Sequence, residues 1–186
     1  MRVAYADPPY LGQAKKHYGN ESTYAGEVDH AALIGQLVAE FPDGWALSCS
    51  SPSLRFLLPL CPEDARIGAW VKPFHVFKRG IRPAYAWEPV IYRGGRNTGH
   101  PPPPKGGVAT TPKDWVAAAI TLRKGLVGVK PDVFSYWIFA VLGLGAGDEL
   151  VDLFPGSGAV TRAWEAYRSG LFAVGGCETT AQEALL

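Results

Sequence analysis

The chain has 186 residues, 47% of them apolar and 19% charged, with a formal net charge of +1; that suits one globular domain and excludes a disordered or fibrous class. No run of about eighteen apolar residues is present, and MRVAYADPPY lacks the layout of a signal peptide, so a cytoplasmic protein without a membrane span is expected. Cys49, Cys61 and Cys177 are widely spaced without a CxxC pair, which argues against a disulfide framework and against structural zinc.

The first predicted element is a strand over 2–6 (RVAYA), stopped by Asp7-Pro8-Pro9, where no helix can continue. Residues 11–27 are polar and read as a loop. From Asp29, a plausible N-cap, apolar residues recur at helical spacing through DHAALIGQLVAEF. Pro42-Asp43-Gly44 marks a turn, WALSCS a buried strand, and Ser51-Pro52 the start of a second helix, SPSLRFLLPL, with Ser51 as its cap. ARIGAWVKP and WEPVIYRGG read as strands, and the Gly/Pro-rich residues 95–112 as a loop. A buried helix is expected over 132–143 with Gly143 as its stop. A strand (ELVDLF), the turn Pro155-Gly156-Ser157-Gly158, a helix (AVTRAWEAYRSG) and a last strand (LFAVGG) complete the chain. Strands alternating with helices predict a single α/β domain with a mostly parallel sheet, whose ligands bind beyond the carboxyl ends of the strands.

Charge is segregated along the sequence. Residues 66–130 hold twelve Lys/Arg against two acids, Glu88 and Asp114, leaving six basic and fifteen acidic residues elsewhere. A basic zone of this kind attracts a polyanion, commonly nucleic acid, although a solvated basic face is the plainer alternative. Arg79, Arg82, Arg93, Arg96 and Lys105 are the candidates for phosphate or base-edge contacts.

Two motifs follow strands. In Asp7-Pro8-Pro9-Tyr10 the prolines fix their φ angles and leave their carbonyls free to accept hydrogen bonds. An amino group on an aromatic base is a poor nucleophile, because its lone pair is delocalised into the ring. The Asp7 carboxylate and the Pro8 carbonyl could accept its two protons and draw the nitrogen towards tetrahedral geometry, while Tyr10 stacks on an extruded base. The second motif, Asp152-Leu153-Phe154-Pro155-Gly156-Ser157-Gly158, opens a helix whose N-terminus offers unpaired N–H groups. Thr161 stands where the dinucleotide fingerprint GxGxxG would have its third glycine, which disfavours a nicotinamide. Glu178 ends the next predicted strand, where a carboxylate can accept both hydroxyls of a ribose.

Together these motifs resemble those of the DNA amino-methyltransferases, [DNS]PP[YFW] and FxGxG, in the beta order with the catalytic motif first, the target-recognition region next and the cofactor motif last. Small phage-borne adenine methylases are similar. Lys130-Pro131 looks like the Lys-Pro pair that family members carry ahead of the helix before the cofactor motif. The resemblance implies a Rossmann-like, circularly permuted domain over 1–186 with residues 66–130 as a target-recognition insertion. Its sheet would have seven strands, with the strand ending at DPPY beside the one ending at FPGSG. It further implies catalysis by Asp7, Pro8, Pro9 and Tyr10, and S-adenosylmethionine bound by Asp152, Phe154, Gly156, Ser157, Gly158, Glu178, Lys130 and Pro131, with DNA adenine as substrate and no metal. Cytosine amino-methylation, RNA adenine methylation and an inactive nucleic-acid-binding partner subunit stay open, and the protein is expected as a monomer or homodimer.

Among lesser residues, Lys130 either touches the cofactor carboxylate or caps the preceding turn, and Glu88 reads as a structural counter-ion. His17, Tyr18 and Tyr24 either close over the base or lie on the surface. His30 and His75 have no partners at ligand spacing. Trp45, Trp70, Phe134, Tyr136, Trp137 and Phe139 are expected in the core.

Overall fold

A computed structural model describes residues 1–13, 26–74, 80–96, 111–120 and 129–170. The predicted strand LFAVGG, His17, Tyr18, Tyr24, His75, Arg79, Lys105, Cys177 and Glu178 lie outside the described residues.

Among the described residues, six strands form one sheet: β1 (Arg2–Ala6), β2 (Gly44–Ser48), β3 (Arg66–Val71), β4 (Trp87–Gly94), β5 (Trp115–Ala117) and β6 (Glu149–Asp152), in the order β5-β3-β4-β2-β1-β6. β1 pairs in parallel with both β2 and β6, β3 pairs in parallel with β5, and β4 runs antiparallel to β2 and β3. The α/β class is as the element order implied, the Rossmann-like arrangement is as the resemblance implied, and the strand ending at DPPY does lie beside the one leading to FPGSG, with Tyr5 opposite Asp152. β3, β4 and β5 all come from the basic middle of the chain, so that stretch builds half of the described sheet.

Alternate residues of the strands feed two cores, because side chains in a strand point to opposite faces. Val3, Tyr5, Trp70 and Val90 pack under α3 (Asp132–Val141) and α4 (Ala159–Arg168), through Phe134, Trp137, Phe139 and Trp164. Ala4, Ala6, Trp45, Leu47 and Ile91 pack under α1 (His30–Glu40), through Leu33, Ile34 and Leu37, and under α2 (Leu54–Leu57) through Leu57. The result is a sheet between helical layers, and the six predicted core aromatics belong to it.

The helix ends follow local chemistry. Asp29 caps α1 by accepting from the Ala32 N–H at 3.0 Å. Gly143 stops α3 with φ +61°, and the Leu144 N–H reaches back to the Phe139 carbonyl at 2.9 Å. The predicted second helix differs. Its cap position is Ser50, not Ser51, and α2 is one turn flanked by 3₁₀ turns over Ser51–Ser53 and Leu58–Leu60. Pro59, which supplies no N–H, prevents a longer α-helical ladder. β5 had no counterpart in the sequence reading. Its Trp115 and Ala117 meet Ala69 and Val71, and Trp70 Nε1 donates to the Ala118 carbonyl at 2.8 Å just beyond it.

Candidate active site

β1, β2 and β6 run in parallel, so their carboxyl ends open at one end of the sheet. Asp7 and Asp152 meet there, along with Glu88 at the start of the antiparallel β4. A cavity of about 330 Å³ lies at this end, bounded by Tyr5, Asp7, Pro9, Lys130, Asp152 and the run from Leu153 to Ser157, with Ala159 and Val160. Its size falls in the range of small-molecule sites, roughly 300–1,000 Å³. Both sequence motifs therefore share one wall-to-wall space.

On one side is the glycine turn. Gly156 has φ +47° and Gly158, the residue capping α4, has φ +70°, a left-handed backbone that side chains with a Cβ adopt only under strain. Asp152 is held across this turn. Its Oδ2 accepts from Thr161 Oγ1 at 3.1 Å and its Oδ1 from the Phe154 N–H at 3.3 Å. Thr161, the position lacking a glycine, thus has its own task. Burial raises the Asp152 carboxyl above its ordinary range, and these two hydrogen bonds oppose that rise.

On the other side is a buried ion cluster. Lys130 Nζ lies 3.1 Å from Asp7 Oδ1 and 3.2 Å from Glu88 Oε2. Lys72 pairs with Glu88 Oε1, and the Tyr10 hydroxyl donates to Glu88 Oε2 at 2.8 Å. Lys130 is 5% exposed and rests over the rings of Trp70 and Phe134, 5.3 and 5.5 Å from their centroids. The Tyr5 hydroxyl shares a 2.8 Å hydrogen bond with Ser48 Oγ beside the cluster.

The electrostatics are uneven. Burial pushes the Asp7 carboxyl above its ordinary range; the Lys130 ammonium opposes this and the Glu88 charge adds to it. Burial would also raise Glu88, but the charges of Lys130 and Lys72 and hydrogen bonds from Lys72 and Tyr10 outweigh it, bringing that carboxyl down to about 2. Burial works against the Lys130 ammonium, yet Asp7, Tyr10 and Glu88 hold its pKa well above the ordinary lysine value. Burial, reinforced by Asp7 and Glu88, keeps the Tyr10 phenol protonated.

The predicted residues divide accordingly. Asp7, Pro9, Lys130, Asp152, Phe154, Gly156 and Ser157 line the cavity, Gly158 caps the adjoining helix, Pro8 is buried behind, and Pro131 precedes α3 as its N-cap. The Lys130 ammonium meets the two carboxylates, and the turn preceding it lies outside the described residues. Glu88 is a counter-ion to Lys72 and Lys130, as its place as one of two acids in the basic stretch suggested. Its central place, and the part of Lys72, were not legible, because β3, β4 and the segment before α3 bring them together.

Two nucleic-acid candidates lie apart from the cavity and are ion-paired. Gly94 stands opposite Gly44 at the far end of the sheet, so Arg93 and Arg96 lie away from the cavity. Arg93 pairs with Asp64 at 2.7 Å, and Arg96 pairs with Asp148 at 3.0 Å and donates to the Gly143 carbonyl at 3.2 Å. Charge segregated along the chain is thus partly cancelled in space, since Lys130, Arg93 and Arg96 of the basic stretch each meet an acid from a flank. Arg82 is exposed on the β3–β4 connection, at the cavity end.

No protein-family model matches the chain, and no curated protein does. Among solved structures the chain is similar in fold to M1.HpyAVI in complex with SAM, with TM-score 0.56 and 16% identity over 90% of this chain and 78% of that one. A second structure of M1.HpyAVI gives TM-score 0.53 and 15% identity over 89% and 76% of the two chains.

Proposed function

We propose that the protein transfers a methyl group from S-adenosylmethionine to the exocyclic amino group of a base, with adenine in DNA as the substrate. The observation that carries this reading is the single cavity shared by Asp7, at the end of β1, and the glycine turn after the neighbouring β6. The fold likeness to a protein crystallised with SAM supports the choice of cofactor. The residues fit such a ligand. The turn at Gly156 to Gly158 brings backbone close to the cavity, the α4 N-terminus offers N–H groups, and Asp152 presents a fixed carboxylate there. When bound, the cofactor would supply an activated methyl on a sulfonium.

The chain's own part is to prepare the acceptor nitrogen. Asp7, held by Lys130, accepts one amino hydrogen and the Pro8 carbonyl a second, which localises the nitrogen lone pair and aims it into the cavity. Tyr10, anchored through its hydroxyl, offers its ring to the extruded base. The raised Asp7 carboxyl is the more basic acceptor for that, and its acid form would be inactive.

The test is incubation with methyl-labelled cofactor and unmethylated DNA, followed by nucleoside identification, with Asp7→Ala as control. Labelled N6-methyladenine from wild type alone supports the reading. Label found only in cytosine, or only in RNA, replaces the substrate, and failure to bind the cofactor overturns the proposal.

A further inference from the structure

From the geometry of the ion cluster we infer that Glu88 is a positioning residue for this site: it anchors Tyr10 and Lys130 together and, by sharing the Lys130 ammonium with Asp7, tunes the charge on that carboxyl. The chemical meaning of the inference rests on the amino-methylation reading; the coupling itself does not.

The contacts define a chain. Lys72 and Lys130 both reach Glu88, Lys130 alone bridges on to Asp7, and the Tyr10 hydroxyl takes the same Glu88 oxygen as Lys130. Glu88 enters from the antiparallel β4, at the end where that strand faces the carboxyl ends of β1 and β2. Its side chain is 20% exposed and those of Lys72 and Lys130 are 12% and 5%, so little solvent screens the cluster.

Two carboxylates competing for one ammonium leave each less well matched than a private pair. Were Lys130 committed to Asp7 alone, Asp7 would be a weaker acceptor for an amino hydrogen, its lone pairs already drawn to a full positive charge. Glu88 relaxes that hold. Lys72 offsets Glu88 from the far side, limiting how far it does so. Among the described residues, the titratable groups that bear on Asp7 are Lys130, Glu88, Lys72, Tyr5, Tyr10 and Asp152. Of these, Glu88 bears on Asp7 both directly, as a like charge, and through the ammonium they share.

Two substitutions of opposite sign test this. Glu88→Gln keeps the shape and removes the charge; Lys72→Met removes the offsetting cation. The Asp7 carboxyl is followed by carbon-13 NMR titration, assigned with Asp7→Asn, and the acid limb of the methyl-transfer rate is measured alongside. Glu88→Gln is expected to lower the Asp7 midpoint by about one pH unit, Lys72→Met to raise it, and Glu88→Asp to restore it, with the acid limb moving in step. A midpoint unmoved in folded Glu88→Gln, or moved in the same direction by both variants, overturns the inference. Should Glu88→Gln not fold, a midpoint that Lys72→Met fails to raise overturns it equally. Opposite midpoint shifts in a protein that transfers no methyl group would uphold the coupling and sink the methylation reading.

Discussion

The Lys130 ammonium lies 3.1 Å from the Asp7 carboxylate, joining the segment before α3 to the residue that follows β1. Prolines follow both, at positions 8 and 131, so each backbone is extended where its side chain turns inward. Removing this lysine leaves Asp7 without its ion-pair partner and facing Glu88, which keeps Lys72. Lys130→Met is expected to destabilise the fold by about 3–5 kcal/mol, as breakage of a buried ion pair does. Urea unfolding checks the figure; a loss below about 1 kcal/mol would mean that solvent screens the cluster.

Acid stability follows from Glu88. Its carboxyl falls from an ordinary 4.5 to about 2 in the folded chain, so the stabilisation it brings is complete above pH 4.5 and is lost as pH falls towards 2. Asp7, whose carboxyl is raised, works in the opposite sense and gains on acidification. Glu88→Gln should therefore be less stable than wild type at pH 7, and the two unfolding curves should converge by pH 2. The gap to be closed is on the order of 2 kcal/mol. Parallel curves across that window would count against the charge balance.

The glycine turn makes a separate prediction. Gly156→Ala and Gly158→Ala each force a Cβ into a left-handed backbone, which costs about 1–2 kcal/mol. A Cβ at 158 would also approach Arg162 Nη1 at 2.9 Å, the far end of a side chain that can swing away. Both variants should stay folded yet bind S-adenosylmethionine at least tenfold more weakly by calorimetry. Unchanged affinity would remove the turn from the cofactor site.

The arginines separate by location. Arg96→Ala strips one partner from Asp148, whose side chain is 6% exposed and also meets the Met1 amino group, and should lower stability by about 1–2 kcal/mol. It should leave the salt dependence of DNA binding unchanged, whereas Arg82→Ala should shallow the log–log salt slope by about one. Equal slopes for both variants would return Arg96 to the interface.

Packing supplies the last test. A Cβ on Gly68 would sit 2.8 Å from the Trp137 ring and 2.9 Å from the Asp114 carbonyl. The ring is fixed by a 2.8 Å hydrogen bond from Trp137 Nε1 to the Lys113 carbonyl. Gly68→Ala should cost about 1–3 kcal/mol through overpacking, read as a lower melting temperature with cofactor affinity retained.

What the sequence determined by itself is local: Asp29 capping α1, Gly143 stopping α3, the stiff Asp7-Pro8-Pro9 corner, and the glycine turn that opens α4. Each of these depends on φ angles and hydrogen bonds among residues a few positions apart, so residue type and order suffice to write them. The α/β class was legible for the same reason, from alternating strand and helix periods. The tertiary structure alone decided which charges meet. Strand order and the reversed direction of β4 set Glu88 against Lys72, Lys130 and Tyr10 at the cavity end and sent Arg93 and Arg96 to the opposite end. It also added β5, whose three residues are too few to carry a period. Coulomb attraction acts over a few ångströms of space whatever the separation along the chain, so Lys72, Arg93, Arg96 and Lys130 of the basic stretch each meet an acid once the sheet is assembled.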